Sequence, residues 1–282
     1  MDEYLLIICT ILLIFFVSIL IMIRKASSPN ALYEGALDEF DQGEYRIAFK
    51  YLKKALQIKP ADIRYLQLLG LTSLKLHDYN TAENCFNEIL KVEPDRLEAV
   101  YNLALTYQMA EKLEDAKTYY YKALSINDKD KDTLYNLGLL LYEMGEYKDA
   151  VSSLEKASKL DPEKSILQFY IAKCKDKISD SSPTSSPEEI ISMYSKLEGK
   201  AGLPIEYNIT LATAFAKAGN IQKAQEYCSK AILSVEDDIQ NYKLQGLLCL
   251  VRKDFDCAKN NLQIATQLNP NDEEVYNLLK YV

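Results

Sequence analysis

The sequence holds a single histidine, His77, which excludes a metal site built from several imidazoles. Tryptophan is absent, and only nine of the 282 residues are glycine. So few glycines disfavour folds that depend on many tight turns. The six cysteines, Cys9, Cys85, Cys174, Cys228, Cys249 and Cys257, form no C-x-x-C pair. Cys249 and Cys257 lack further zinc ligands in register. Cysteines used as buried free thiols suit a reducing compartment. Positive charge is in short supply as well: 33 Lys and Arg stand against 41 Asp and Glu, for a net charge of −8. That balance argues against a nucleic-acid partner, because the phosphate backbone demands a basic surface. The sequence contains no G-x-S-x-G, no P-loop and no H-E-x-x-H. No enzyme activity, cofactor, metal or small-molecule substrate is therefore expected. Hydrophobic residues are plentiful at 48%, and the 21 tyrosines call for an explanation in packing or in binding.

Leu5 to Ile23 is a run without charge, closed by Arg24 and Lys25 and preceded by the acidic Asp2 and Glu3. As a helix it would span roughly 28 Å, close to the hydrocarbon core of a bilayer. The acidic start and the large residues at the end do not match a cleaved signal peptide. The expectation is an uncleaved, single-pass transmembrane anchor with a short linker over residues 1–28, the membrane being contacted through residues 5–23. The basic flank places residues 24–282 in the cytoplasm by the positive-inside rule.

Beyond residue 28 the chain repeats. Pro60 and Pro94 stand 34 apart, Pro162 falls two such steps further on, and Asp128 stands where the intervening proline is missing. Ala48, Ala82, Ala116 and Ala150 keep the same interval, as do Ala55, Ile89, Ala123 and Ala157. Ala224 with Ala258 and Ala231 with Ala265 resume it. A fixed period of this length is the signature of a solenoid. Residues 131–164, KDTLYNLGLLLYEMGEYKDAVSSLEKASKLDPEK, carry the pattern best. Leu134, Leu137, Gly138 and Leu141 share one face of a first helix, and Gly145 to Tyr147 form a turn. Ala150, Leu154 and Ala157 share one face of a second helix, which Pro162 ends because proline brings no amide hydrogen.

This pattern resembles the tetratricopeptide repeat family. The resemblance covers about nine-tenths of the chain and implies an all-α, right-handed helical-repeat solenoid behind the N-terminal transmembrane helix. Four units occupy 29–62, 63–96, 97–130 and 131–164. A degenerate unit fills 165–204, with a Ser/Pro loop at 179–187 that has no apolar residue to bury. Two further units follow at 205–238 and 239–272, and residues 273–282 form a C-terminal capping helix. The first unit departs from the family pattern, since Gly35 comes one place early and Ala36 holds the close-approach position.

Three smaller motifs point nowhere. Asp128, Asp130 and Asp132 alternate like the start of a calcium loop, but Thr133 stands in place of the turn glycine and Leu139 in place of the closing glutamate. They read as a polar turn between repeats. Asn208-Ile-Thr210 is a formal glycosylation acceptor inside an expected packed helix. His77 occupies the turn position that other units give to Gly43, Gly145 or Gly219.

The resemblance also implies that the first helices line a concave face. Carried onto this chain, its inward positions give an apolar, tyrosine-rich strip: Tyr33, Leu37, Phe40, Leu71, Leu74, Tyr101, Leu105, Tyr135, Leu139 and Tyr142. Gln67 and Gln108 also fall at inward positions, while Arg64, Glu98 and Asp132 fall at the edge. Tyrosine gives large contact area at low entropic cost. The family's carboxylate clamp is not reproduced, because Tyr101, Tyr135, Leu105 and Leu139 stand where its basic residues would be. The expected function is a membrane-anchored scaffold or adaptor that binds a protein or peptide through this strip, with weak dependence on salt. The alternative is a structural or assembly subunit of a membrane or cell-envelope complex.

Overall fold

A computed structural model describes residues 15–16, 28–180, 187–234 and 239–280. Among the described residues all regular structure is helical. The expected transmembrane helix is corrected: no helix of the described residues is long and apolar enough to cross a membrane. Of the run Leu5–Ile23 only Phe15 and Phe16 are described, and the remainder lies outside the described residues. Single-pass attachment through residues 5–23, a membrane localisation and a cytoplasmic placement of the repeats all rested on that run and fall with it.

The chain divides into two compact units, residues 1–133 and residues 134–282. In the first, helices pair as hairpins: α1 (Pro29–Asp41) with α2 (Tyr45–Ile58), α3 (Ile63–Lys75) with α4 (Tyr79–Val92), and α5 (Leu97–Met109) with α6 (Leu113–Ile126). The helix starts are encoded locally. Ser28 accepts from the Ala31 amide at 3.2 Å ahead of Pro29, and Asp62 and Asp78 cap α3 and α4. Asp130 accepts from the Thr133 amide at 2.8 Å and from its hydroxyl at 2.6 Å, where α7 (Lys131–Glu143) begins. Each hairpin turns through one left-handed residue: Gly43, His77 and Glu111, with φ of 82°, 57° and 59°. His77 and Glu111 adopt a conformation that favours glycine.

The alanines of the 34-residue interval are the contact points between paired helices. Ala48, Ala82 and Ala116 are fully buried, and Leu52, Phe86, Leu103 and Tyr120 fill the space around them. Gly70 lets α3 approach α4 closely, since a Cβ there would lie 2.6 Å from Cζ of the buried Phe86 ring.

In the second unit α8 (Tyr147–Leu160) follows the turn at Gly145, and a Cβ on Gly138 would lie 2.5 Å from Cγ of Leu154. Helices α9 (Ser165–Asp180) and α10 (Pro187–Ser195) form the degenerate unit, and the Ser/Pro loop between them lies largely outside the described residues. These two helices touch each other little, whereas α11 (Ile205–Lys217) and α12 (Ile221–Ser234) pack along their lengths. The core absorbs this opening with aromatic rings. Phe169 lies 5.8 Å from Tyr194 and 6.4 Å from Tyr207, while Phe215 stacks on Tyr227 at 5.6 Å. Helices α13 (Ile239–Val251) and α14 (Phe255–Leu268) make the last hairpin, and α15 (Glu273–Leu279) covers α14 through the buried Val275.

The expectation of uniformly free cysteines is also corrected. Cys249 on α13 and Cys257 on α14 form a disulfide, with their Cα atoms 5.8 Å apart. The turn between the two helices brings the eight-residue separation into bonding range. Cys85, Cys174 and Cys228 are free and buried, and the compartment inference drawn from cysteine usage no longer stands.

Candidate functional site

Of the expected strip, Tyr33, Leu37, Phe40, Leu71, Leu74, Tyr101 and Leu105 fall in the first unit, and Tyr135, Leu139 and Tyr142 in the second. In the first unit Tyr33 stacks on Tyr65 at 5.1 Å, beneath the Arg64 guanidinium. Phe40 turns its ring onto Tyr45 at 5.3 Å. Leu37 is 39% exposed, Leu105 is half-buried, and Leu74 is 5% exposed and belongs to the core. In the second unit Lys164 sits 4.1 Å above the Tyr135 ring, and Leu139 is half-buried. Tyr142 packs between Tyr147 and Tyr170, with its hydroxyl pushed up to about 12 by burial. The tyrosine excess thus serves packing first.

Two strip residues, Leu71 and Tyr101, do share a cleft. It has a volume of about 400 Å³ in the first unit and is lined by Gln67, Leu71, Leu97, Glu98, Tyr101, Asn102, Asp130 and Asp132. Helices α3 and α5 supply its floor, and the capping turn of α7 supplies Asp130 and Asp132. The Tyr101 ring leans on Tyr120, 6.1 Å away, whose hydroxyl donates to Gln108 at 2.8 Å. The Gln67 side-chain oxygen is buried and accepts no hydrogen bond from the described residues. Such an orphaned acceptor costs about 1–3 kcal/mol. Three carboxylates and no cation line the cleft. Arg64, at the groove edge, is held back by Asp62, which it meets through Nη2 at 2.9 Å and Nε at 3.1 Å. That pairing holds the Asp62 carboxyl below its ordinary value. Arg96 pairs with Glu93 at 2.7 Å and approaches Glu98 at 3.6 Å.

The second unit has clefts of the opposite sign. One of about 330 Å³ opens between α9 and α10, lined by Ile171, Ala172 and Met193 together with Lys175, Lys196 and Lys200. Another of about 200 Å³ takes Lys173, Lys177 and Lys217 with Asp176, Ile209 and Thr213. Lys173 lies over the rings of Tyr142, Phe169 and Tyr170 at 5.4–5.8 Å, and burial lowers its pKa. Among the described residues no group of three His, Cys, Asp or Glu could hold a metal ion. That includes Asp130 and Asp132, one of which is spent on capping α7.

Sequence reasoning named Gln67, Leu71, Tyr101, Glu98 and Asp132 individually, but it left Asp130 as a turn residue. The signal was present: an aspartate three residues before Thr133 is a cap, and a cap points its carboxylate at a helix end.

Residues 95–163 match the family model described as tetratricopeptide repeat, and residues 13–89 match the one described as anaphase-promoting complex, cyclosome, subunit 3. No curated protein matches the sequence. Among solved structures, a tetratricopeptide repeat protein from Parabacteroides merdae ATCC 43184 is similar, with 20% identity, coverage of 90% of this chain and 98% of that one, and a TM-score of 0.70. PilF from Pseudomonas aeruginosa has 21% identity, coverage of 78% and 97%, and a TM-score of 0.66. MamA from strain AMB-1 has 20% identity, coverage of 63% and 94%, and a TM-score of 0.51. At such identities the likeness concerns the fold, which is an all-α solenoid of the tetratricopeptide repeat type. Repeats of this type are typically non-catalytic interaction scaffolds, suited to holding a protein or peptide on their concave face.

Proposed function

We propose that this chain is an assembly subunit that holds a segment of a partner protein within a larger complex. The observation that carries the reading is the cleft at Leu71 and Tyr101. It joins an apolar floor to hydrogen-bonding walls drawn from successive repeats. Convergent polar groups around an apolar base are the usual make-up of a recognition site. The family matched over residues 13–89 is described as a subunit of a multi-protein complex, and this favours assembly over transient recruitment.

The test is the native size of the chain in the cells that express it. Gel filtration at near-physiological salt should place it in a stoichiometric species well above its own mass of 32.2 kDa. A chain that elutes alone at that mass sinks the proposal. The double variant Leu71→Ala with Tyr101→Ala, checked by thermal melting for an intact fold, should shift it towards the free position. Truncating a central aromatic anchor costs about 2 kcal/mol or more where it acts as a hot spot.

A further inference from the structure

We propose that the Cys249–Cys257 bond is a thiol–disulfide exchange site, at which Cys257 is the sulfur that takes up an incoming small thiol. The inference stands apart from the assembly role and concerns the second unit alone. The bond is an addition to a turn that is already complete. At this turn the Lys253 amide donates to the Leu250 carbonyl at 2.9 Å, and the Asp254 amide to the Cys249 carbonyl at 2.9 Å. The turn at His77 has the same pair, with His77 donating to Leu74 at 3.1 Å and Asp78 to Ser73 at 2.9 Å. The turn at Glu111 repeats it at 3.0 Å and 2.9 Å. Lys253 is left-handed with φ of 62°, as His77 and Glu111 are. Asp254 caps α14 through the Cys257 amide at 3.1 Å, just as Asp78 caps α4 through that of Thr81 at 3.1 Å. The positions of Cys249 and Cys257 in the repeat are held by Ser73 and Thr81 in one hairpin and by Phe215 and Lys223 in another. In the latter, Lys223 Nζ lies 5.1 Å from the centre of the Phe215 ring. Those hairpins turn without a covalent link, so the last one does not need its disulfide to form.

The two sulfurs differ in access. Cys249 is 1% exposed, whereas Cys257 is half-buried and follows the exposed residues 252–256. Access decides which sulfur of a disulfide is attacked. A donor already faces the outer one: Asn261 Nδ2 lies 3.6 Å from Cys257 Sγ and donates to the Cys257 carbonyl at 2.9 Å. Cys85, Cys174 and Cys228 do not compete, because burial pushes their thiols up to about 12, 11 and 12 and the thiolate is the reactive form. An incoming thiolate bonds to Cys257 Sγ, the protein S–S bond breaks, and Cys249 leaves with the electron pair. Cys249 then takes up the proton that the incoming thiol had released. A second thiol attacks the sulfur of the first, which frees Cys257 and yields a small disulfide. Two thiols are thus oxidised while the protein bond gains two electrons. The co-reactant is a low-molecular-weight monothiol, and its own disulfide runs the steps backwards.

The experiment uses the full chain, with reduced and oxidised glutathione as the probes. The folded protein is exposed to the reduced probe, quenched with acid, unfolded, alkylated and mapped by mass spectrometry. Trypsin cuts after Arg252 and Lys253 and so places the two cysteines on separate peptides. The mixed disulfide should be found on Cys257 at least about tenfold more often than on Cys249. Far-UV circular dichroism should show the same helix content in the oxidised and the fully reduced chain. Cys249→Ser removes the sulfur that returns to close the bond, so oxidised glutathione should load Cys257 and leave Cys85, Cys174 and Cys228 bare. Cys257→Ser should leave Cys249 unloaded until the chain is unfolded. An adduct chiefly on Cys249 overturns the proposal, as does a bond that opens only in denaturant. Finding both cysteines free after equilibration with the oxidised probe overturns it as well. A large loss of helix on reduction does the same, because the bond would then be a requirement of the fold. The parent chain alone decides these four points, so a variant that fails to fold leaves the test intact.

Discussion

The cleft of the first unit and those of the second are cut into the same kind of helical hairpin, yet they carry opposite charge. Glu98, Asp130 and Asp132 line the one, while Lys175, Lys196 and Lys200, with Lys173, Lys177 and Lys217, line the others. They also arise differently. In the first unit the hairpins are closed: Gly70 sits against Phe86, and the cleft is a surface between first helices. In the second, the larger cleft exists because α9 and α10 barely meet. The lesson concerns which positions a repeat leaves to function. Alanine, glycine and leucine at the contact positions fix the packing. Glu98 and Tyr101 at the second and fifth positions of a first helix, and Asp130 at the cap of the next helix, line the cleft of the first unit. Fold likeness at about a fifth identity therefore transfers the scaffold and leaves the partner to those positions.

The sharpest way to test the contrast between closed and open hairpins is to add atoms to each. Gly70→Ala and Gly138→Ala place a Cβ 2.6 Å from the Phe86 ring and 2.5 Å from Leu154 Cγ. Both neighbours are fully buried and have nowhere to go. Each substitution should cost up to about 3 kcal/mol despite the better helix propensity of alanine. Ala172→Leu, beside the 330 Å³ opening, should change stability by less than about 1 kcal/mol, because the added methyls enter existing space. Urea unfolding of the three variants reads both values. Equal losses would mean that the degenerate hairpin is as tightly packed as the regular one.

Much of the closed hairpin is legible in the sequence, and little of the open one. Ala48, Ala82, Ala116 and Ala150 announce the period because a small residue is needed wherever two helices touch, and all four are fully buried. The tyrosines are harder to read. A ring at an inward position is equally able to face a ligand or to lie on a neighbour, and Tyr33 and Tyr142 lie on neighbours. The Cys249–Cys257 bond was missed by searching for metal ligands rather than pairing residues across the turn. The charge of the clefts was half visible. Glu98 and Asp132 fall at edge positions of the repeat, but only the cap geometry adds Asp130 to them.

The disulfide separates the units a second time, since it belongs to the second alone. Reducing it should destabilise α13 and α14 by about 2 kcal/mol on the loop-closure account. Hydrogen exchange with and without reductant should show lost protection around residues 239–268 and none in α1 to α6. Uniform loosening of both units would erase the distinction.

A smaller effect should appear at alkaline pH. Burial raises Cys85 from its ordinary value of 9.0 to about 12, Cys174 to about 11 and Cys228 to about 12. The unfolded chain gives up these protons first, so the folded state holds more of them above pH 9 and stability falls as pH rises. The loss is about 1 kcal/mol per thiol over the first pH unit. The first unit contains one of these thiols and the second two, so the second unit should lose protection faster. Cys174→Ala with Cys228→Ala should flatten its pH profile. A profile unaffected by the double substitution would assign the alkaline loss to other groups.

The smallest effect concerns Arg64, a cation at the edge of the groove. Arg64 is bound to Asp62 and laid over Tyr33 and Tyr65, which keeps it from neutralising Glu98 and its neighbours. Asp62 has its folded pKa depressed by that partner, so the pair contributes stability above the ordinary carboxylate value of 3.8 and loses it as pH falls below. Arg64 is largely exposed and the pair is screened, so Arg64→Gln should move the melting temperature by no more than about 2 °C at neutral pH. The same substitution should remove the dependence on pH near and below 3.8 that this pair adds. A profile unchanged by Arg64→Gln would assign that dependence to other carboxylates.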